Sequence, residues 1–308
     1  MKKTKYNIHS DFLVLRYLHM PKDMRIMGLA NKVARLAYKA VHVPKTIRYQ
    51  KFDIGTRDGG TITLDFFTPK NVNGPLKCLI YFPGGGFLMP AAHVHKRNVM
   101  HMVETAQIAC VIVHYRLAPK YAFPTALYDA LDATEHLYKN AKSYGIDATR
   151  MGLGGDSAGG NLACAVSLYN QDHEQYPFQP LLLIYPGLDE GRASYSRQTY
   201  TDTPMFNADM FDFIGKSYYK NGLFGLEKYA FPLTHENPKG VGPVYLETAE
   251  YDCLHDDGIL FYDKLKEMNV QVELNDTKGT VHGYDAIANS NIVKESIRLR
   301  IEFIKRYL

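Results

Sequence analysis

Tryptophan is absent from this 308-residue sequence, and cysteine occurs only four times. Cys78, Cys110 and Cys164 lie within apolar segments, and Cys253 follows an aspartate. This distribution is typical of small buried side chains in a reducing compartment, and it does not suggest a disulfide framework. We therefore expect a cytoplasmic protein whose cysteines are unpaired.

A strong excess of charge of either sign is also missing. The 36 basic and 32 acidic residues leave a formal net charge of only +4. The densest basic run, MKKTK at the N-terminus, is typical of a solvated chain end. Because the sequence contains no basic stripe, we predict no nucleic-acid partner.

The sequence has no uninterrupted apolar run long enough to cross a bilayer. Its N-terminus begins with positive charge, but Asp11, Arg16 and His19 interrupt the apolar positions that follow. No small-residue cleavage site comes after them, as a secretion signal would require. Neither a signal peptide nor a membrane span is therefore expected.

What the sequence does contain is an alternation of strands and amphipathic helices. The segments TIRYQKFDI and TITLDFFTP, joined by RDGG, predict a hairpin. Six further strand segments follow, most of them continuously apolar and most separated by helical patterns. Such strands are buried on both faces of a parallel sheet. The sequence predicts an α/β protein with a mostly parallel central sheet of about eight strands flanked by helices.

Two segments fall outside this alternation. Residues 7–43 carry apolar positions at helical spacing and predict two or three short helices, with Pro21 and Pro44 as boundaries. Residues 188–240 lie between two predicted strands, are rich in aromatic residues and are far longer than an ordinary connection. Long insertions of this kind usually form lids or binding loops.

The motif GDSAG, residues 155–159, fits the G-x-S-x-G nucleophile elbow. In this elbow a strand turns sharply into a helix and holds its serine in a strained conformation that only small neighbours tolerate. A predicted strand precedes the motif and a predicted helix follows it. Ser157 is therefore the predicted nucleophile, and a glycine-rich turn with a serine helix cap is the alternative.

A serine nucleophile needs a base, and the base needs an acid to orient it. In this kind of sheet the order along the chain is Ser, then Asp or Glu, then His, on loops after later strands. Asp252 and His282 each follow a predicted strand in that order, and they complete a predicted catalytic triad. Asp256 and Asp257 compete for the role of the acid, but we predict that they cap the next helix.

The stretch LIYFPGGGF places three glycines, residues 84–86, at the end of a predicted strand. A tetrahedral intermediate needs two or three N–H donors directed at its oxyanion. Ala158, the residue after the nucleophile, supplies one of them. A glycine loop can supply the others, because no side chain prevents its backbone from approaching the substrate.

Two groups of residues contain potential metal ligands. His93, His95 and His101 share a predicted helix, and residues 252–256 combine aspartate, cysteine and histidine. The histidines have no matching set of carboxylates or cysteines nearby, so we interpret them as solvated helix residues, and the second run is a weak candidate. We predict no metal site.

The motifs YFPGGGF, VIVHYRLAPK, LGGDSAGGNLA, AEYDCLHDDG and VHGYD occur in that order. Together they resemble the hormone-sensitive-lipase-like (bacterial type IV) esterases, which are α/β-hydrolases. The resemblance implies a helical cap, residues 1–44 and 188–225, over an α/β-hydrolase core, residues 45–187 and 226–308. It also implies an oxyanion hole formed by the N–H groups of Gly85, Gly86 and Ala158. The implied activity is hydrolysis of short- to medium-chain carboxylic esters through an acyl-enzyme, without a cofactor.

Two positions depart from the family pattern. Pro83 stands where the family usually has a histidine that braces the glycine loop, and Lys120 stands where a glutamate is common. A proline cannot replace the hydrogen bonds of a histidine side chain, although its fixed φ can stiffen the loop. Because the glycine N–H donors remain, we expect the oxyanion hole to survive.

Several alternatives stay open at this point. Phe87, Phe211 and Tyr284 are predicted walls of the substrate pocket, with plain packing as the alternative. A deacetylase, an amidase or a peptidase of the same fold is an alternative function. So is a non-catalytic binding protein like the plant gibberellin receptors, although the predicted triad here is complete. The sequence lacks G-x-G-x-x-G and P-loop motifs, which disfavours nucleotide binding. The sequence is also compatible with a homodimer.

Overall fold

The predicted alternation of strands and helices produces a layered structure. The computed structural model describes residues 5–191 and 193–308, so residues 1–4 of the basic N-terminal run and Arg192 lie outside the described residues. In chain order the strands are β1 (Ile47–Gly55), β2 (Thr61–Pro69), β3 (Leu76–Phe82), β4 (Ala109–His114), β5 (Ile146–Asp156), β6 (Leu181–Ile184), β7 (Val244–Ala249) and β8 (Val272–Thr277).

These strands form one sheet in the order β1-β2-β4-β3-β5-β6-β7-β8. β1 and β2 pair antiparallel in the predicted hairpin, with Gly55 opposite Thr61, and β2 pairs antiparallel with β4. Every pair from β4 to β8 is parallel. The mostly parallel eight-stranded sheet expected from the sequence is therefore confirmed.

The α-helices of the described residues cover both faces of this sheet. They are α1 (Met24–Ala40), α2 (His93–Ala106), α3 (Thr125–Lys139), α4 (Ala158–Asp172), α5 (Tyr195–Thr199), α6 (Ala208–Tyr218), α7 (Glu227–Ala230), α8 (His255–Glu267) and α9 (Asn291–Tyr307). Short 3₁₀ helices span Ser10–Tyr17, Ala141–Tyr144, Pro232–Thr234, Lys239–Val241 and Tyr284–Ala286. Among all these helices, none combines the length and hydrophobicity that crossing a bilayer requires.

The core consists of two apolar clusters, one on each face of the sheet. Along β3, Ile80 belongs to one cluster and its neighbour Tyr81 to the other, as the two-residue period of a strand requires. Helices α3, α4 and α8 contribute to the first cluster, and α2 and α9 to the second. All four cysteines are buried and unpaired within these layers, as their apolar surroundings predicted.

The two segments that broke the strand–helix alternation lie next to each other. The N-terminal segment forms the 3₁₀ helix Ser10–Tyr17 and α1, and the insertion after β6 contributes α5 and α6. An isolated bridge between His19 and Met205 joins the two segments. The division of the chain into a cap and a core at the predicted boundaries stays a proposal.

A buried ionic network holds the last helix against the carboxyl ends of the strands. The fully buried guanidinium of Arg300 on α9 donates to Glu247 of β7 and, at 3.0 Å, to Asp285. The Tyr284 hydroxyl also donates to Glu247, at 2.8 Å. Because Tyr284 and Asp285 closely follow His282, this network fixes the loop that carries the predicted catalytic base.

Arg300→Ala tests how much this network stabilises the fold. Removing the cation leaves two carboxylates buried without their partner, so we expect the free energy of unfolding to fall by about 3–5 kcal/mol. Urea titration followed by circular dichroism measures the change. Arg298→Ala on the same helix is the matched control, because its ion pairs are exposed and should contribute less than about 1 kcal/mol. Equal losses in the two variants would contradict this account.

Candidate active site

Ser157 occupies a strained turn between β5 and α4. Its backbone has φ 54° and ψ −121°, which lies outside the regions that side-chain-bearing residues ordinarily adopt. A Cβ on Gly155 would lie 2.3 Å from the carbonyl oxygen of Gly159, and one on Gly159 would lie 1.9 Å from the carbonyl oxygen of Phe82. Glycine is therefore required on both sides of the serine, as a nucleophile elbow demands.

The structure brings the three predicted triad residues into one hydrogen-bonded chain. The Nε2 atom of His282 lies 2.9 Å from Ser157 Oγ, and its Nδ1 atom lies 2.6 Å from Asp252 Oδ2. The other oxygen of Asp252 accepts the N–H of Leu254 at 3.0 Å. Because the fully buried carboxylate accepts from Nδ1–H, the Nε2 atom is free to take the serine proton.

Asp256 and Asp257, the competing acids, have a different role from the predicted one. Neither forms a side-chain cap of α8. Instead, Asp256 accepts the N–H of Ser196, and Asp257 accepts the N–H of Leu188 and a guanidinium N–H of Arg197. The expectation of helix caps was therefore wrong, because both carboxylates bind the insertion after β6 to the helix that follows Asp252.

The glycine loop after β3 has the conformation that only glycine adopts easily. Gly85 has φ +133° and Gly86 has φ +59°, and a Cβ on Gly86 would lie 2.3 Å from the Ile214 side chain. Within the described residues, the N–H groups of Gly85, Gly86 and Ala158 donate to no acceptor. Both glycines line the groove beside Ser157, and Ala158 follows the serine at the start of α4. The three predicted oxyanion-hole residues therefore adjoin the nucleophile with free donors.

The buried carboxylate of Asp156 braces this loop. Its Oδ1 atom accepts the N–H of Gly84 at 3.1 Å and the Tyr81 hydroxyl at 2.7 Å. Its Oδ2 atom lies 3.1 Å from Nε2 of His95, whose Nδ1 atom accepts the N–H of Ala92. Nε2 therefore carries the ring proton and donates it to Asp156. Although burial raises the pKa of the Asp156 carboxyl, His95 and the other donors lower it below its ordinary value.

His95 was interpreted from the sequence as a solvated helix histidine, and that interpretation was wrong. Its side chain is only 11% exposed and points at Asp156, whereas its neighbour His93 is exposed as predicted. Across the described residues, no three His, Cys, Asp or Glu side chains are grouped as a metal site would require. The role of His95 in the brace was missed because nothing in its local pattern indicates a partner so distant in the sequence.

The structure also shows how the loop tolerates Pro83. The buried hydroxyl of Tyr115, from the motif HYRLAP, donates to the Pro83 carbonyl oxygen at 2.7 Å. This contact uses the backbone of residue 83, so it does not depend on the side chain there. Lys120 is the second position that departs from the family pattern, and its ammonium lies 5.0 Å from the centre of the Tyr121 ring. The start of the loop is therefore held at two adjacent residues, by Tyr115 at Pro83 and by Asp156 at Gly84.

Two cavities meet at Ser157. The smaller, of about 40 Å³, is lined by Phe87 and Phe211 among other residues, and Ile214 of α6 closes part of it. The larger groove, of about 390 Å³, lies on the side of His282. Its lining also includes residues of the N-terminal segment that the sequence analysis did not assign to the site: Leu18, His19, Met20, Pro21 and Ala30.

Of the three predicted pocket walls, Tyr284 is the exception. It is fully buried, and it lines neither the small cavity nor the groove. Its ring packs against Phe12 and Tyr185, while its hydroxyl donates to Glu247. The packing alternative therefore applies to Tyr284, because the turn after His282 directs its side chain into the protein.

His95→Ala tests the brace on the glycine loop. Without its donor to Asp156 the loop loses alignment, and we expect kcat for p-nitrophenyl acetate to fall about 10-fold with little change in KM. His95→Gln should recover most of kcat, because an amide N–H can also reach a carboxylate. His93→Ala, on the exposed side of the same helix, is the matched control. An unchanged kcat in His95→Ala would refute this role.

Comparisons with known proteins agree with this geometry. Residues 79–286 match the family described as alpha/beta hydrolase fold. An ethyl acetate hydrolase from Pseudomonas putida is 30% identical over 78% of this chain and 76% of its own. The carboxylesterase NlhH from Mycobacterium tuberculosis is 28% identical over 82% of each chain. The crystal structure of a thermostable esterase from Pseudomonas putida ECU1011 has 25% identity and a TM-score of 0.89, over 99% of this chain and 98% of that one. As its motifs implied, this chain belongs to the α/β-hydrolase fold family.

Proposed function

We propose that this protein is a serine hydrolase that cleaves short- to medium-chain carboxylic esters through an acyl-enzyme intermediate. The observation that carries this proposal is the hydrogen-bonded chain from Ser157 through His282 to Asp252. Free N–H groups beside the serine provide the second requirement of acyl transfer, a site for the oxyanion. The names of the relatives, an ethyl acetate hydrolase and a carboxylesterase, support an ester as the substrate.

In the first half-reaction, the Nε2 atom of His282 takes the hydroxyl proton of Ser157 as Oγ bonds to the ester carbonyl carbon. The carbonyl π electrons move onto the oxygen, which the N–H groups of Gly85, Gly86 and Ala158 stabilise. When this intermediate collapses, the bond to the alkoxy oxygen breaks. His282 then gives its proton to that oxygen, so an alcohol leaves and Ser157 remains acylated.

In the second half-reaction, water takes the place of the alcohol. His282 removes one water proton as the oxygen attacks the acyl carbon, and a second oxyanion forms in the same hole. Its collapse breaks the bond to Ser157 Oγ, which recovers its proton from His282, and the carboxylic acid is released. Throughout, the buried Asp252 holds the imidazole in one tautomer and stabilises the imidazolium that forms in each half.

The unequal cavities predict which esters fit. A volume of about 40 Å³ holds only a few atoms, so one arm of the substrate must be short. A nitrophenyl ring does not fit there and must occupy the groove of about 390 Å³. In nitrophenyl esters, the acyl chain must therefore occupy the small cavity. This arrangement favours acetate over longer acids.

We also propose a cytoplasmic location, because the four cysteines are buried thiols that make no disulfide. The alternative of a non-catalytic binding protein on this fold is disfavoured by the triad geometry, which such a protein would not need. An amide substrate uses the same chemistry with a different leaving group. Comparing the hydrolysis of esters with that of an anilide therefore distinguishes the two functions.

Ser157→Ala and His282→Ala test the proposed mechanism. Either change removes a group that acts in both half-reactions, so we expect kcat to fall by about 10⁴-fold or more. Hydrolysis of p-nitrophenyl acetate, butyrate and octanoate by the purified protein measures the effect. The matched controls are Ser143→Ala and His101→Ala, whose side chains are exposed and line neither of the cavities at Ser157. Turnover of a p-nitroanilide but of none of the esters would favour an amidase instead.

Ile214→Ala tests whether the small cavity limits the acyl chain. Ile214 is buried against the cavity, and its truncation adds room for further carbons. We expect the kcat/KM ratio of octanoate to acetate to rise about 10-fold, since each buried methylene contributes about 0.8 kcal/mol. Acetate serves as the internal control for folding and for the triad. A ratio that does not change would mean that the acyl chain lies elsewhere.

A further inference from the structure

Helix α1 divides into three faces. At about 100° per residue, Ile26, Leu29, Val33 and Leu36 fall within an arc of about 80°. We call these four residues the α1 stripe. A sector of lysine and arginine adjoins the stripe on one side, and the face that packs against the protein adjoins it on the other. Three separate sectors on one helix mean that the stripe is not part of the buried face.

The α1 stripe is exposed to solvent within the described residues. Its side chains are 58% exposed at Ile26, 64% at Leu29, 58% at Val33 and 67% at Leu36. Only Met27 and Tyr38 of α1 are buried. An apolar stripe at helical spacing ordinarily faces a core. Here the helix already has a buried face, and its second apolar face has no partner among residues 5–191 and 193–308.

The charge beside the stripe is all of one sign. Arg25, Lys32, Arg35 and Lys39 are exposed and occupy an arc of about 80° next to it. No acidic residue occurs in α1, and among the described residues none of these four cations forms an ion pair. Asp23, just before the helix, uses its carboxylate to cap the N–H groups of the first turn.

We propose that α1 docks this protein on an anionic lipid surface, with the stripe inserted at the boundary of headgroups and acyl chains. An exposed apolar face flanked by lysine and arginine is the composition of helices that lie in a membrane interface. The charge argues against a second copy of this chain as the occupant. Two such helices packed together would bring four cations against four others, whereas anionic headgroups would neutralise them.

The position of α1 gives this docking a consequence for substrate entry. Ala30, on the protein-facing side of α1, lines the groove beside Ser157, together with Leu18 and Met20 from the preceding segment. Leu18 and its neighbour Tyr17 are themselves largely exposed. A lipid surface held by α1 would therefore lie close to the groove, and esters dissolved in that surface would have a short path to it. This consequence rests on the proposed esterase function, and the docking itself does not.

Co-sedimentation of the full-length protein with vesicles tests the docking. Binding should be strong to an equal mixture of phosphatidylglycerol and phosphatidylcholine, weak to phosphatidylcholine alone, and reduced by salt. Leu29→Ser with Leu36→Ser should weaken binding at least about 10-fold. Replacing Lys32, Arg35 and Lys39 by glutamine should weaken it about 100-fold. Leu260→Ser, which alters an exposed leucine on α8, is the matched control and should bind like the wild type.

Two further measurements separate this proposal from its rivals. Hydrolysis of p-nitrophenyl acetate in buffer should be the same in the wild type and in the stripe variant, so a failure of the esterase proposal would not imitate a failure of docking. Sedimentation velocity gives the oligomeric state of both proteins. Equal binding of wild-type protein to the two kinds of vesicle would overturn the proposal. So would a wild-type dimer that the stripe variant converts to monomers without any loss of vesicle binding.

Discussion

Two stretches of backbone, the end of β3 and the start of α4, approach each other with no side chain between them. The space for a Cβ on Gly159 is occupied by the carbonyl of Phe82, and the same crowding excludes one on Gly155. This close approach brings the glycine loop beside Ser157, and it holds the serine in a strained conformation at the start of a helix. Catalysis needs a nucleophile and free N–H donors a few ångströms apart. That requirement explains why the site tolerates only glycine at these positions.

The loop itself owes its position to buried polar contacts. Asp156 accepts hydrogen bonds from Gly84, Tyr81 and His95, and Tyr115 holds the carbonyl of Pro83. Burying a carboxylate without such donors would lower the stability of the fold. The carboxylate of Asp156 and its donors therefore stabilise each other. Because these contacts hold the loop through its backbone, they do not depend on which side chain stands at position 83, and the loop accommodates Pro83. Buried polar contacts also hold the other side of the site, where the ion pairs of Arg300 order the loop after His282.

The insertion after β6 shapes the site without contributing to its chemistry. Hydrogen bonds from its backbone to Asp256 and Asp257 hold it against the helix that follows Asp252. Held there, it places Phe211 and Ile214 over the small cavity, while the N-terminal segment walls the larger groove. The inequality of the two cavities therefore follows from how two separate segments meet above the sheet. In the function we propose, these segments set the substrate size, and the loops at the ends of the strands carry the reacting groups.

The sequence by itself determined the strands and helices of the core and the order of Ser157, Asp252 and His282 along it. Both follow from local rules, because the hydrophobic period marks each element, and parallel strands bring their carboxyl ends to one edge. Only the tertiary structure decided the direction of individual side chains. His95 binds a carboxylate 61 residues away, Asp256 binds the insertion instead of capping its own helix, and Tyr284 points into the core. Each of these contacts joins residues distant in the chain, and only their packing in three dimensions determines which of them meet.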